Sequence, residues 1–96
     1  DFNFAKPDYK KFPALTLKQI VSNTSYKKSF VIVLNAANEI AVDNFLKKNI
    51  KFDDIVKTIK KTIYKFNHIE VKTLKDILSV DTEARLLTNK IIKMNN

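Results

Sequence analysis

The stretch SFVIVLNAANEIAVDNFL, from Ser29 to Leu46, is the longest apolar run in the chain and decides the fold. At about 100° per residue, its apolar side chains form one broad stripe that is wider than a single partner helix can cover. Ser29 is a good N-cap, because its hydroxyl can accept a hydrogen bond from a backbone N–H of the first turn. The sequence therefore predicts a central helix over residues 29–46, with the rest of the chain packed around it.

Three polar residues interrupt this apolar helix within one sector, namely Asn35, Asn38 and Glu39. A catalytic interpretation makes Glu39 a general base or a metal ligand, but the sequence places no second carboxylate, His or Lys beside it. Buried polar groups must be paired, so we favour a structural motif in which the three side chains are buried and hydrogen-bond to loop backbone or to the N-terminal segment. Replacing Glu39 by Ala is then expected to destabilise the fold, because its partners would be left unsatisfied.

Composition restricts both the fold and the chemistry. The 96 residues suit a single domain with one modest core. The absence of Cys excludes disulfides, thiolate metal sites and Cys nucleophiles. The absence of Gly excludes the phosphate-cradling loops of nucleotide-binding proteins and disfavours tight hairpins that need a positive φ. Both absences indicate helices joined by plain loops.

The net charge of +8 raises the question of a nucleic-acid or membrane partner. Only one of the 18 basic residues is an arginine, Arg85, whereas proteins that read bases and phosphates rely on the guanidinium group. We therefore interpret the charge as a solvated surface and predict no nucleic-acid partner. No apolar run approaches the ~20 residues of a membrane span, so no membrane is predicted either. The chain begins at Asp1 without an initiator Met and is expected to be a piece of a longer protein.

The N-terminal part predicts an extended lead-in and a short helix. Within residues Asp1–Phe12, Phe2 and Phe4 alternate with polar residues, and Pro7 disfavours helix in the residue before it. Pro13 can occupy the first turn of a helix over Ala14–Ser22 without losing a hydrogen bond. Its inward-facing residues are Leu17, Ile20 and Val21. The polar stretch SNTSYKK, residues 22–28, is then a turn that leads into the central helix.

Two further helices follow the central one. The third begins near Phe52, where Asp53 and Asp54 supply carboxylates to the first turn. The fourth opens at Thr73, with Asp76 three residues later in a variant of the capping box. The sequence thus predicts an all-α fold, a compact four-helix bundle with an extended N-terminal lead-in. Residues 1–12 would form the linker and residues 13–96 the bundle.

The remaining polar candidates have structural interpretations. A lone His without Cys or a carboxylate cluster nearby is usually a surface or structural residue, so His68 is not taken as a ligand. The adjacent Asp53 and Asp54 are interpreted as a helix cap rather than a metal pair. Asp81 and Arg85 have the spacing of an ordinary helix ion pair, and Glu83 is expected to face solvent.

Four blocks of the sequence resemble one family. They are PDYKKFPAL (Pro7–Leu15), LNAANEIAVDNFL (Leu34–Leu46), IKFDDI (Ile50–Ile55) and DILSVDTEAR (Asp76–Arg85). In this order and at these separations they resemble the carboxy-terminal domain of 1-deoxy-D-xylulose 5-phosphate reductoisomerase, and LNAANE within a helix is the most specific of them. SNTSYKK lacks the glycines that the family often carries before this helix.

The resemblance implies a parent enzyme of three parts: an N-terminal nucleotide-binding domain, a central catalytic domain and this helical bundle. Such an enzyme converts 1-deoxy-D-xylulose 5-phosphate to 2-C-methyl-D-erythritol 4-phosphate in non-mevalonate isoprenoid biosynthesis, uses NADPH and magnesium or manganese, is inhibited by fosmidomycin and is expected to be a homodimer. The family's cofactor, metal and phosphate motifs belong to the first two parts and do not occur here. The chain is therefore expected to be a non-catalytic scaffold with no catalytic, cofactor or metal residue of its own.

Two alternatives belong to other classes of protein. A stand-alone basic module would bind nucleic acid with an affinity that falls steeply with salt. An adaptor bundle would offer a groove to a partner helix and expose an apolar patch. The resemblance implies a cytoplasmic location for a bacterial parent and a plastid location for a parent from a plastid-bearing eukaryote.

Overall fold

The computed structural model describes residues 24–95, with side chains described for residues 26–94. Within that range the chain forms three helices and no strand: α1 over Thr24–Leu46, α2 over Phe52–Lys65 and α3 over Leu74–Asn95. The all-α fold class is confirmed for this part of the chain. The short helix and the lead-in predicted within residues 1–22 lie outside the described residues. The count of four helices and the division at residue 12 therefore stay predictions.

The helix α1 is the centre of the bundle, as predicted, because its small side chains let both other helices approach closely. Val33, Ala36, Ala37 and Ala41 have no exposed surface. Both α2 and α3 pack against α1, and they also pack against each other. The core extends from α1 into the other helices and the connector between them through buried apolar residues: Ile63, Phe66, Val71, Val80 and Ala84.

The three helices run up, down and up. Residues 47–51 form a short turn after α1, so α2 returns antiparallel to it. Val31 and Ile77 line the same groove near the starts of α1 and α3. Glu39 and Arg85 meet farther along the same two helices. Residue numbers therefore increase in the same direction along both helices, so α1 and α3 are parallel neighbours.

The turn after α1 contains a non-glycine residue in the left-handed region. Lys48 has a φ of 65°. The N–H of Asn49 donates to the Asn44 carbonyl at 2.8 Å, and the N–H of Lys48 donates to the Phe45 carbonyl at 2.9 Å. This helix ending usually has Gly at the position of Lys48, because a Cβ atom is crowded there. The chain has no Gly, so Lys48 adopts the conformation at a steric cost.

The starts of α2 and α3 are confirmed where the sequence placed them. At α2, Asp54 Oδ2 accepts from the N–H of Lys51 at 3.0 Å, which confirms its role as a helix-start carboxylate. At α3, Thr73 Oγ1 accepts from the N–H of Asp76 at 3.1 Å. Asp76 Oδ2 in turn accepts from the N–H groups of Thr73 at 3.1 Å and Lys72 at 2.9 Å. Thr73 and Asp76 thus satisfy each other's backbone donors at this helix end.

The predicted start of α1 is wrong by five residues. The helix begins at Thr24, so residues 24–28 are helical rather than part of a turn, and Ser29 is not an N-cap. This stretch contains no Gly or Pro to stop the helix, and Tyr26, Lys27 and Lys28 are tolerated in helices. Ser29 has no exposed surface and serves a different purpose, because its hydroxyl is hydrogen-bonded to a side chain outside the helix.

The expectation that no segment reaches membrane-spanning length is also corrected. Among the described residues, Tyr26–Leu46 is a helical segment of 21 residues with a mean hydropathy of 1.2, long and apolar enough to span a membrane by length and composition alone. The central helix of a bundle passes the same test. Here α2 and α3 pack against α1 and bury Val33, Ala36, Ala37 and Ala41, although only 28% of the apolar window is buried in all.

Candidate functional site

The only arginine of the chain joins α1 to α3. Arg85 donates from Nη1 to Glu39 Oε1 on α1 at 2.9 Å and from Nε to Asp81 Oδ2 on its own helix at 3.0 Å. The rigid guanidinium fork suits this geometry, because it directs separate N–H groups at two carboxylates, whereas a lysine offers one flexible point charge. The predicted ion pair between Asp81 and Arg85 is therefore confirmed, and Arg85 also extends it to a second helix.

Water screens this cluster only in part. The side chains of Arg85, Asp81 and Glu39 are 35%, 38% and 69% exposed. The hydrogen bond to Glu39, followed by that to Asp81, raises the pKa of Arg85 above its ordinary value, so the guanidinium stays charged. Each pair contributes about 0.5 kcal/mol at this degree of exposure. The cluster acts as a clamp between two helices, with a cation between the two carboxylates.

The polar residues of the LNAANE block are not buried. Asn35, Asn38 and Glu39 are all exposed, so the expectation of buried hydrogen-bonding side chains is wrong. The reason is that the small residues Ala36 and Ala37 turn towards α2 and α3, and the polar sector lies on the outward side. Glu39 does hold a structural contact, to Arg85. The lead-in, which was the other predicted partner, lies outside the described residues, so a structural role of the two asparagines stays a prediction.

A second connection to α1 is buried. The Ser29 hydroxyl is 2.8 Å from His68 Nδ1, and His68 Nε2 is 2.8 Å from the Ile63 carbonyl. A carbonyl only accepts, so Nε2 carries the proton and Nδ1 accepts from the Ser29 hydroxyl. His68 is 3% exposed and its ring lies 5.3 Å from that of Phe66. The structural interpretation of His68 is therefore confirmed.

This Ser–His pair has the arrangement of a nucleophile and its base but not the access that catalysis needs. Ser29 is fully buried, so no substrate carbonyl can reach its oxygen. Burial lowers the pKa of His68, and the hydrogen bond to Ile63 raises it by less. The imidazole is therefore neutral in the folded protein at pH 7, as a buried ring without a charged partner must be.

The described residues do not bring together a metal site. No group of three or more His, Cys, Asp or Glu side chains lies within range of a common ion in this part of the chain. Asp54 caps α2, and Asp53 is exposed in the same first turn. Glu83 is exposed as predicted and accepts a hydrogen bond from Ser79 at 3.3 Å.

Sequence reasoning missed the bond between Glu39 and Arg85. The two residues lie on different helices, 46 positions apart, and periodicity within one helix does not report on such a pair. One signal was present: Arg85 is the only arginine among 18 basic residues. A residue type used once, in a chain that otherwise uses lysine, indicates a position that needs the guanidinium fork.

Comparison with known proteins places this sequence in a family. Residues 1–87 match the family described as the DXP reductoisomerase C-terminal domain. The chain is 46% identical over 91 residues to the 1-deoxy-D-xylulose 5-phosphate reductoisomerase of Wolbachia sp. subsp. Brugia malayi (strain TRS), covering 94% of the chain and 23% of that protein. The equally named protein of Ehrlichia ruminantium (strain Welgevonden) is 42% identical over 93 residues, covering 96% and 24%. That of Proteus mirabilis (strain HI4320) is 39% identical over 89 residues, covering 93% and 22%. The chain spans less than a quarter of the length of these relatives.

Proposed function

Because the chain belongs to the DXP reductoisomerase C-terminal domain family, we propose that it works as the helical carboxy-terminal domain of a 1-deoxy-D-xylulose 5-phosphate reductoisomerase. The whole enzyme would rearrange and reduce 1-deoxy-D-xylulose 5-phosphate to 2-C-methyl-D-erythritol 4-phosphate in non-mevalonate isoprenoid biosynthesis. Its partners would be the nucleotide-binding and catalytic domains of the same enzyme, in a homodimer. The observation that carries this proposal is the family match over residues 1–87, joined to a coverage of only 22–24% in the relatives quoted above.

Within that enzyme, the chain's own residues would hold a rigid body rather than perform chemistry. The small-residue side of α1 packs on two helices, His68 ties the α2–α3 connector to α1, and Arg85 clamps α3 to α1. Such supports keep a catalytic domain within the narrow geometric tolerance that an active site requires. Weakening the bundle would therefore lower turnover without removing a reacting group.

The NADPH and divalent metal that the family implies do not fit the described residues of this chain. α1 and α3 bring the carboxylates of Glu39 and Asp81 to one guanidinium, and both accept from Arg85. A guanidinium repels a divalent cation placed between them. The chain also lacks the glycines of a phosphate-cradling loop. We therefore assign the cofactor and the metal to the other domains and derive no step through them here.

A graft tests the proposal. Residues 1–96 replace the matched region of the Wolbachia reductoisomerase, and NADPH oxidation with 1-deoxy-D-xylulose 5-phosphate is measured. We expect the graft to turn over within about tenfold of the parent, since the chains are 46% identical and a positional misfit of 1 Å costs up to about 100-fold. The isolated 96-residue chain should show no turnover. A folded graft that is inactive, or an isolated chain that turns over, would contradict the proposal.

We also propose that residues Ala14–Ser22 form the fourth helix of the bundle. A groove of about 470 Å³ lies between the start of α1, the connector and the start of α3. Its exposed surface is almost entirely apolar, since Lys27 and Lys28 line it with their aliphatic stems, and it lies at the first turns of α1. The predicted inward residues Leu17, Ile20 and Val21 supply the apolar surface that such a groove needs. The lining residues are Lys27, Lys28, Val31, Ile32, Val71 and Ile77.

A disulfide trap tests this fourth helix. The chain contains no Cys, so the double variant Val21→Cys/Val31→Cys has a single pair of thiols. Seating of the helix in the groove brings the pair within bonding range, and mild oxidation should close an intramolecular disulfide. The control pair Val21→Cys/Met94→Cys, with Met94 at the far end of α3, should not close. Equal closure of both pairs would contradict the placement.

A further inference from the structure

A stripe on the outward side of α1 has at its centre two amide side chains without a partner in the described part of the chain. Val31, Asn35, Asn38 and Val42 follow at spacings of four, three and four, so they lie on one face of the helix. Val31 is 44% exposed, both asparagines are exposed and Val42 is half-buried. We name these four residues the amide stripe. At 1.5 Å per residue it is about 16 Å long.

The two asparagines at the centre of the amide stripe differ from two other helical asparagines, Asn44 on α1 and Asn89 on α3. Asn44 and Asn89 each donate from Nδ2 to the backbone carbonyl four residues earlier, at 2.8 and 3.1 Å. Asn35 and Asn38 have no side-chain hydrogen bond with the described residues. Asn is also a poorer helix former than Ala. The two asparagines therefore lower the stability of the central helix, and no hydrogen bond with the described residues compensates for this.

An asparagine side chain carries the same donor and acceptor as a peptide group. Residues three apart on a helix lie about 5–6 Å from each other. Peptide groups along one edge of an extended strand repeat at about 6.7 Å, twice the rise per residue. Asn35 and Asn38 can therefore pair with the N–H and C=O groups of one extended segment.

We propose that the amide stripe holds residues Asp1–Phe12 of this same chain as an extended segment. The segment has the required character, because Phe2 and Phe4 alternate with polar residues and Pro7 disfavours helix before it. Alternate side chains of an extended segment point to the same side. The backbone edge of the segment then meets the amides, with Phe2 and Phe4 on one side of it, since strand side chains stand perpendicular to the hydrogen-bonding edge.

The length of chain before α1 and the place where it joins also fit. Residue 23 joins α1 at Thr24, about 10 Å along the helix from Val31. Twelve extended residues reach about 40 Å, and the whole of α1, at 23 residues, is about 34 Å long. Val31 also lines the groove at the start of α1. The groove and the amide stripe therefore adjoin at Val31.

The test is the variant Asn35→Ala/Asn38→Ala in the 96-residue chain, followed by thermal unfolding and by amide hydrogen exchange of residues 2–12. Loss of the paired amides should lower Tm and lower the protection factors of residues 2–12 about tenfold, since two hydrogen bonds are removed. If the asparagines are only solvated surface, Ala is the better helix former, so Tm should rise and exchange should stay unchanged. That result would overturn the proposal.

Two further variants keep the test sharp. Asn89→Ala, an exposed asparagine on α3, should leave exchange of residues 2–12 unchanged. Phe2→Ser/Phe4→Ser acts from the segment's side and should give the same loss of protection as the double asparagine variant, without adding to it. Protection that grows with protein concentration would identify a second copy as the occupant and overturn the proposal. The inference concerns this chain alone, so its outcome is independent of the reductoisomerase activity proposed above.

Discussion

Two connections tie other elements to α1, and they differ in nearly every physical respect. Near the start of the helix, Ser29 holds His68 inside the core, where both residues are at most 3% exposed. Farther along, Glu39 holds Arg85 at the surface, where the side chains are 69% and 35% exposed. The first connection is neutral and depends on packing and on the protonation state of one ring. The second is charged and depends on ionic strength. Removing the buried Ser29–His68 connection should therefore lower the free energy of unfolding more than removing the exposed Glu39–Arg85 connection.

The largest effect is expected from His68→Ala. The substitution leaves a cavity and removes the partner of both the Ser29 hydroxyl and the Ile63 carbonyl, which stay buried. We expect the free energy of unfolding to fall by about 3 kcal/mol, measured by urea denaturation. The matched variant Ser29→Ala removes one hydrogen bond and little volume, so its loss should be smaller. Equal, small losses in both variants would show that this tie is not a central support.

The pH dependence of stability sharpens the same contrast. Burial lowers the pKa of His68 below its ordinary value of 6.5, so on acidification the unfolded chain takes up the proton first. The stability that this neutral ring provides is present above about pH 6.5 and is lost as pH falls towards its folded pKa. The lowered pKa of Asp76 acts in a separate window, below its ordinary value of 3.8.

Urea denaturation between pH 7.5 and pH 5 measures this dependence. His68 is the only His in the chain, so the variant His68→Gln should abolish the slope in that window, although it is less stable at every pH. A slope that persists in this variant would assign the pH dependence to another group.

Breaking the exposed clamp should cost less. Arg85→Ala is expected to lower the free energy of unfolding by about 1 kcal/mol at low salt, and by less in 1 M salt, because exposed pairs are screened. Glu39→Ala should lose about half as much, since Asp81 keeps its bond to Arg85. If the stability lost in Arg85→Ala does not change with salt concentration, the side chain acts through packing rather than charge.

The smallest effect is a gain. Lys48→Gly removes the Cβ crowding at φ 65° and should raise the free energy of unfolding by about 0.5–1 kcal/mol. The control Lys47→Gly lies one residue earlier, where no positive φ occurs, and should lower stability by a few tenths to about 1 kcal/mol. The same sign for both substitutions would contradict the conformational explanation.

The elements that sequence predicted well are those whose signals are local. Thr73 and Asp76 mark the start of α3 through side chains that bond within four residues, and Asp54 does the same for α2. The start of α1 was missed because Ser29 looks like a cap but serves a partner 39 positions away. A pattern of capping residues cannot distinguish a hydroxyl that faces its own helix from one that faces another element.

The candidate site shows the same limit. The polar sector of Asn35, Asn38 and Glu39 could be recognised from the sequence, but its direction could not. The helix is apolar on most sides, so its sequence pattern does not show which side is buried. The buried side is set by the tertiary packing of Ala36 and Ala37. The bond between Glu39 and Arg85 depends on this packing. The four sequence blocks nonetheless identified the family, and the family match over residues 1–87 confirms it.

Turnover of the grafted reductoisomerase carrying His68→Ala tests the scaffold most directly. His68 is buried within the bundle and bonded to Ser29 and Ile63, so the substitution is expected to act by loosening the bundle. Bundle melting and kcat are followed together on heating. A scaffold predicts that kcat falls at the temperature where the bundle melts, and that this temperature is lower in the variant than in the unsubstituted graft. Full turnover by a graft whose bundle has already melted would contradict the claim that this domain supports the active site.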